Sequence, residues 1–146
     1  MVNAHFYILT EQTPEALACQ ATVQAYRKGQ GVYLHCQDEA HAHRLDELLW
    51  QFEPESFIPH NLQGEGPKSG APVVIGWADP DHATVEKHPL LINLGFDVPR
   101  FAVQFAHIID FVPADEQAKA QARRRFAAYR QLGVTLTTQD LARQPF

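Results

Sequence analysis

At 146 residues, with 45% hydrophobic and 20% charged side chains, the chain has the make-up of one globular domain with a real core. A formal net charge of -5 argues against a general nucleic-acid binder, whose affinity comes from many Lys and Arg neutralising phosphates. No run approaches the ~18 apolar residues of a membrane span, and the apolar start lacks the basic region of a signal peptide. Two cysteines, Cys19 and Cys36, make neither a disulfide framework nor a zinc motif, so a reducing cytoplasm is the expected compartment.

Taken in chain order, His5–Leu9 is short, aromatic and β-branched and reads as a strand. Thr13 caps a helix that has Pro14 at its first position and is expected to end near Lys28, at Gly29. Gly31–Cys36 reads as a buried strand. Asp38 caps a second helix over "EAHAHRLDELLWQF", which Pro54 ends. A Gly-rich loop then leads into the strand "PVVIGW", and Asp79–Pro89 reads as polar loop. Leu90–Gly95 is a strand, "VPRFAVQFA" a short helix and His107–Val112 a further strand. Asp115 caps a last helix to Leu132, ending at Gly133. The tail 133–146 is weakly patterned and is expected to be partly mobile. Strands alternating with helices predict a three-layer α/β fold over 1–146, with a mainly parallel sheet and helices on both faces.

Chemistry is sparse. Lys68 and Ser69 follow Pro67, which has no N–H, and the loop feeds a strand where a phosphate cradle needs a helix N-terminus. The eight histidines show no ligand spacing, and His41 and His43 point to different helix faces, so no metal and no cofactor is expected. Cys36, between strand and helix, is the one candidate nucleophile. It leaves open a small α/β enzyme acting on phosphates, although a phosphate-holding arginine is missing at position 42, which is Ala.

The last helix is more informative. Ala118, Ala122 and Tyr129 share the face expected to pack on the sheet. Lys119, Arg123, Phe126 and Arg130 fall on one narrow stripe beside it. Long cations flanking an aromatic suit an acidic peptide with a hydrophobic anchor. They leave open a solvated helix face, or direct binding of single-stranded DNA. Trp50, Phe52, Phe57 and Ile58 form a second hydrophobic group that is either core or a partner surface.

"NAHFYIL", "HRLDELLWQFEPESFIPHNLQGEGPKSGAPVVIGW" and "IIDFVPADEQAKAQARRRFAAYRQLG" together resemble the chi subunit of bacterial DNA polymerase III holoenzyme. The specific part is R-L-D-E-x-L-W followed by S-F-[IV]-P-H-N-L-x-G-E-G-P, and the similarity runs through nearly the whole chain. The resemblance implies a non-catalytic accessory subunit of the clamp-loader assembly. Its partners would be the psi subunit and the acidic, Phe-terminated C-terminal tail of single-stranded DNA-binding protein, with DNA met only indirectly. The tail would fall on Val112, Lys119, Arg123 and Phe126, with Tyr129 and Arg130 nearby. Arg124 and Arg125 would widen the field that captures it. Phe126 stands where relatives often have Tyr, so a hydroxyl contact is absent. The psi surface would fall on Trp50, Phe57, Ile58, Pro59 and His60, where a helicase would compete, and the Gly-rich loop becomes a connector beside it.

Overall fold

The computed structural model describes residues 1–52, 57–66 and 70–146. The expected helix stop at Pro54 and the Pro67, Lys68 and Ser69 part of the Gly-rich loop lie outside them. Seven strands form one sheet: β1 (Asn3–Ile8), β2 (Val32–His35), β3 (His60–Leu62), β4 (Val73–Gly76), β5 (Leu90–Asn93), β6 (His107–Val112) and β7 (Thr135–Asp140). Their order is β3-β4-β2-β5-β6-β1-β7, and every pairing is parallel. The helices are α1 (Pro14–Arg27), α2 (Glu39–Phe52), α3 (His82–Lys87) and α4 (Glu116–Gln131), with a 3-10 turn at Ala102–Gln104.

Capping explains the helix starts. The Thr13 hydroxyl accepts from the Ala16 N–H at 3.1 Å, Asp38 Oδ1 from His41 N–H at 2.8 Å, and Asp115 Oδ2 from Ala118 N–H at 3.0 Å. Gly29 and Gly133 follow α1 and α4 with φ of 76° and 79°, the left-handed conformation that stops a helix.

Parallel strands have both faces covered and read as unbroken apolar runs. β4 and β5 are buried at every position. On one face Leu17, Leu45 and Leu49 of α1 and α2 pack with Leu34, Ile75 and Ile92. On the other, Tyr129 of α4 and Phe101 and Phe105 around the 3-10 turn pack with Phe6, Leu91 and Ile108. The three-layer α/β expectation is met.

Three local readings are corrected. Residues 60–62 form a strand inside the Gly-rich stretch, because His60 to Leu62 pair with Val73 to Ile75. The polar segment 79–89 contains α3, N-capped by Asp81, whose Oδ1 accepts from Thr84 N–H at 2.8 Å; one and a half turns are too short to show a period. The weakly patterned tail contributes β7, whose register with β1 runs from Asn3↔Thr135 to Ile8↔Asp140.

Candidate functional site

The cationic stripe lies on α4, and its position follows from how α4 is fixed to β6. Tyr129 is fully buried, and its hydroxyl donates to Asp110 Oδ2 at 2.9 Å. Arg125 Nε donates to both Asp110 oxygens, at 3.1 and 3.2 Å. Its Nη1 and Nη2 donate to the carbonyls of Phe96 and Phe111, at 3.0 and 3.1 Å. Asn93 Nδ2 adds a donor to Asp110 Oδ2 at 3.2 Å, and the Phe111 N–H one to Oδ1 at 2.7 Å. Burial raises the Asp110 carboxyl, and the Arg125 guanidinium, the Phe111 N–H, Tyr129 and Asn93 pull it back.

With α4 held this way, Arg123 and Arg130 project into solvent and Lys119 is half-buried. Lys119 Nζ lies 3.6 Å from Glu116, an exposed pair of little energetic weight. Phe126 is half-buried. Its ring meets Phe6 edge-on at 5.3 Å, and the Arg130 guanidinium sits 5.2 Å from its centroid. Val112, half-buried at the end of β6, belongs to the same apolar cluster as Phe126. The structure therefore brings an apolar floor and three long cations together. Tyr129, expected near the tail, is core, and Arg125, expected to add to the capturing field, is buried in the Asp110 network. Arg124 remains exposed.

Signals for the network were present in the sequence. Asp110 is a carboxylate inside the apolar run "HIIDFV", where an acid is rarely left without a partner. At 100° per residue Arg125 falls on the face of Ala118, Ala122 and Tyr129, which packs on the sheet.

The aromatic surface sits at the end of α2 and the start of β3. Trp50 is 55% exposed and Phe57 73%. Phe57 has φ of 46°, among the described residues the one non-glycine with positive φ. Such a residue is strained by ~1–3 kcal/mol and persists where the surroundings or a function require it. Pro59 is exposed beside it. Ile58 and His60 turn inward, contrary to their expected place on the surface. Ile58 is buried in the core, and the His60 side chain is 1% exposed under Trp50, ring centroids 4.8 Å apart. His60 Nδ1 contacts the Ile58 carbonyl at 2.8 Å. Its Nε2 lies 3.2 Å from Asp46 Oδ1, within ion-pair range but outside hydrogen-bond alignment. Asp46 and His60 thus form the support on which Trp50 is presented.

In its described part, the Gly-rich loop is a turn built on Asn61. The Asn61 amide donates to the Leu62 and Glu65 carbonyls, at 2.9 and 2.7 Å, and its oxygen accepts from Ala71 N–H at 3.1 Å. The loop leads into β4, where a phosphate cradle needs a helix. Cys36 is 1% exposed, and burial pushes its thiol up to about 12, opposite to what a nucleophile needs. Among the described residues no group of three or more His, Cys, Asp or Glu is placed to hold a metal, and no helix is long and apolar enough to cross a membrane.

The family model described as "DNA polymerase III chi subunit, HolC" matches residues 1–137. A protein of Escherichia coli K12 named DNA polymerase III subunit chi is 42% identical over 145 residues, covering 94% of this chain and 97% of the relative. Proteins of the same name from Haemophilus influenzae and Pseudomonas aeruginosa are 41% and 36% identical. They cover 95% and 98% of this chain, and 97% and 99% of their own lengths.

Proposed function

The chain belongs to the DNA polymerase III chi subunit family, and we propose that it works there as a non-catalytic adaptor in the cytoplasm, joining the clamp-loader assembly to protein-coated single-stranded DNA. One partner is the acidic, Phe-terminated C-terminal tail of single-stranded DNA-binding protein, taken by the α4 stripe. The observation that supports this reading is the pairing of exposed Arg123 and Arg130 with the half-buried Phe126 and Val112. An acidic chain ending in an aromatic residue needs both: guanidinium and ammonium donors for carboxylates, and an apolar wall for the ring. The other partner is the psi subunit, on Trp50, Phe57 and Pro59, with a helicase competing for the same ground. Exposed large aromatics on a backbone held in a strained conformation are what a partner anchor looks like before it is covered.

The test is a titration of a labelled acidic peptide ending in Pro-Phe into wild type and Arg123→Ala, at low and moderate salt. Salt-sensitive binding that the mutation weakens by about tenfold or more supports the assignment, in line with ~1.5–3 kcal/mol for a charge-assisted hydrogen bond. Equal binding by both proteins overturns it.

A further inference from the structure

β7 is an edge of the sheet, with β1 on its inner side. The Thr135 N–H donates to the Val2 carbonyl at 3.0 Å, and the Leu141 N–H to the Ile8 carbonyl at 3.0 Å. Backbone groups alternate sides along a strand, so Thr137 and Gln139 also bond inward, while Leu136 and Thr138 turn their N–H and C=O outward. Among the described residues none bonds these outward groups. Edge strands are usually guarded by a proline, a lysine, a bulge or a very short length. β7 has none of these: it is six residues, Thr-Leu-Thr-Thr-Gln-Asp, in unbroken register from Asn3↔Thr135 to Ile8↔Asp140. At its far end the Asp140 carbonyl accepts from the Arg143 and Gln144 N–H groups, at 3.0 and 2.8 Å. That turn sends the chain onto the α1 face, where the Phe146 ring meets Tyr7 edge-on at 5.2 Å, and Thr138 is left exposed.

The flank of α4 above this edge is the cationic one. Arg125, on one side of the buried face, reaches Asp110 of β6 and the Phe96 carbonyl beyond β5. Helical periodicity puts the stripe on the other side, where Phe126 meets Phe6 of β1 and shares an apolar cluster with Leu136 of β7. Leu136 and Thr138 align with Ala4 and Phe6, so their side chains point to this face as well. Asp115 and Glu116 lie at the opposite end of α4 from Arg130. The ground between β7 and α4 thus has unpaired backbone donors and acceptors along its base and guanidinium groups along its wall.

We propose that the acidic tail taken by the α4 stripe is held as an additional strand on the edge of β7, an inference that rests on the tail assignment above. In this mode main-chain hydrogen bonds supply affinity and alternate side chains supply specificity. Side chains of the added strand that point to the α4 face come under Arg123 and Arg130, and the intervening ones meet Thr137 and Gln139. The surface therefore reads an extended chain with a carboxylate at every second position, and a helical ligand leaves the edge unsatisfied. A second copy of this chain fits the edge poorly. Antiparallel pairing of two β7 strands keeps both α4 helices on one face and brings two cationic stripes together.

The experiment is titration of a labelled acidic peptide ending in Pro-Phe into the full chain, with Thr138→Pro and Arg123→Ala beside wild type. Thr138 directs its N–H outward, so proline there removes one edge donor and keeps the bonds to β1. It is expected to weaken the peptide roughly fivefold or more, by the same factor at low and moderate salt, whereas the Arg123→Ala loss shrinks as salt rises. In wild type, hydrogen exchange at the Leu136 and Thr138 amides should slow about tenfold or more on saturation with the peptide. That readout does not depend on how well Thr138→Pro folds. A peptide methylated at alternate backbone nitrogens should lose affinity in one phase of the alternation and keep it in the other. A peptide that fails to bind wild type, or binds wild type and Arg123→Ala equally, overturns the tail assignment and this proposal with it. Binding that Arg123→Ala weakens, with the Leu136 and Thr138 amides unprotected, leaves the tail assignment standing and overturns the edge strand. Unchanged affinity in folded Thr138→Pro, or indifference to both methylation phases, has the same meaning. Loss of self-association in Thr138→Pro with peptide binding intact assigns the edge to a second copy, and overturns the proposal as well.

Discussion

Arg125 reaches across the seam between α4 and β6 and places its Nε 3.1 and 3.2 Å from the two oxygens of Asp110, a carboxylate with no exposed surface. The pair sets both the rotation and the height of α4 on the sheet, and through them where Arg123, Phe126 and Arg130 point. A buried pair of this kind contributes little net stability compared with an apolar replacement, yet removing one partner strands the other charge. Arg125→Ala should therefore destabilise the protein by ~3–5 kcal/mol. Asp110→Asn combined with Arg125→Met should cost much less, because no isolated charge remains. Urea denaturation of the single and double variants checks this; equal losses in both would show that the charge is not what matters.

On the stripe, Phe126→Ala removes an apolar wall and the ring under Arg130 while leaving all three cations. Peptide affinity should fall by ~1–2 kcal/mol, with the salt dependence of binding retained. Arg123→Ala should instead flatten the salt dependence. Isothermal titration at two salt concentrations separates the two effects.

At the aromatic surface, Phe57→Gly relieves the positive φ at a position where the ring is exposed. Stability should stay level or rise by up to ~1 kcal/mol, while affinity for psi falls and tail-peptide binding is unchanged. Thermal melts and a pull-down with psi read these separately. A large loss of stability would mean that the Phe57 ring serves the fold rather than a partner.

His35 predicts a pH effect. Its ring lies between Tyr33, stacked at 6.3 Å, and Phe101, edge-on at 5.1 Å, and burial pushes it down to about 4, with Asp79 acting weakly the other way. The unfolded chain takes up the proton first, near the ordinary histidine value of about 6.5. The neutral ring's contribution is thus complete above that pH. It declines as pH falls toward 4, by at most about 1.4 kcal/mol per unit, and changes no further below that. His35→Phe should flatten the fall in urea midpoint between pH 6.5 and 5, where carboxylates contribute little. An unchanged slope would assign the acid sensitivity elsewhere.

Both thiols should be unreactive. Burial pushes Cys19 and Cys36 up to about 12, with Glu15 adding to the rise. Iodoacetamide should modify them only after denaturation; fast native labelling of Cys36 would reopen the enzyme reading.

Local rules located most of the framework. Thr13, Asp38 and Asp115 announce helix starts, because a cap depends on atoms a few residues away. The buried strands declare themselves by continuous apolar runs, and the stripe Lys119–Arg123–Phe126–Arg130 by helical periodicity. What these rules could not reach was decided between segments distant in the chain. β3 and β7 are strands because β4 and β1 offer them a hydrogen-bonding edge, and their own polar sequences carry little strand signal. Among the three consecutive arginines, Arg123 and Arg124 face solvent while Arg125 turns to Asp110, fifteen residues away in sequence. Ile58 and His60 turn inward while Phe57 and Pro59 turn out. Periodicity can say which residues share a face, but what covers that face is set by where the rest of the chain folds back.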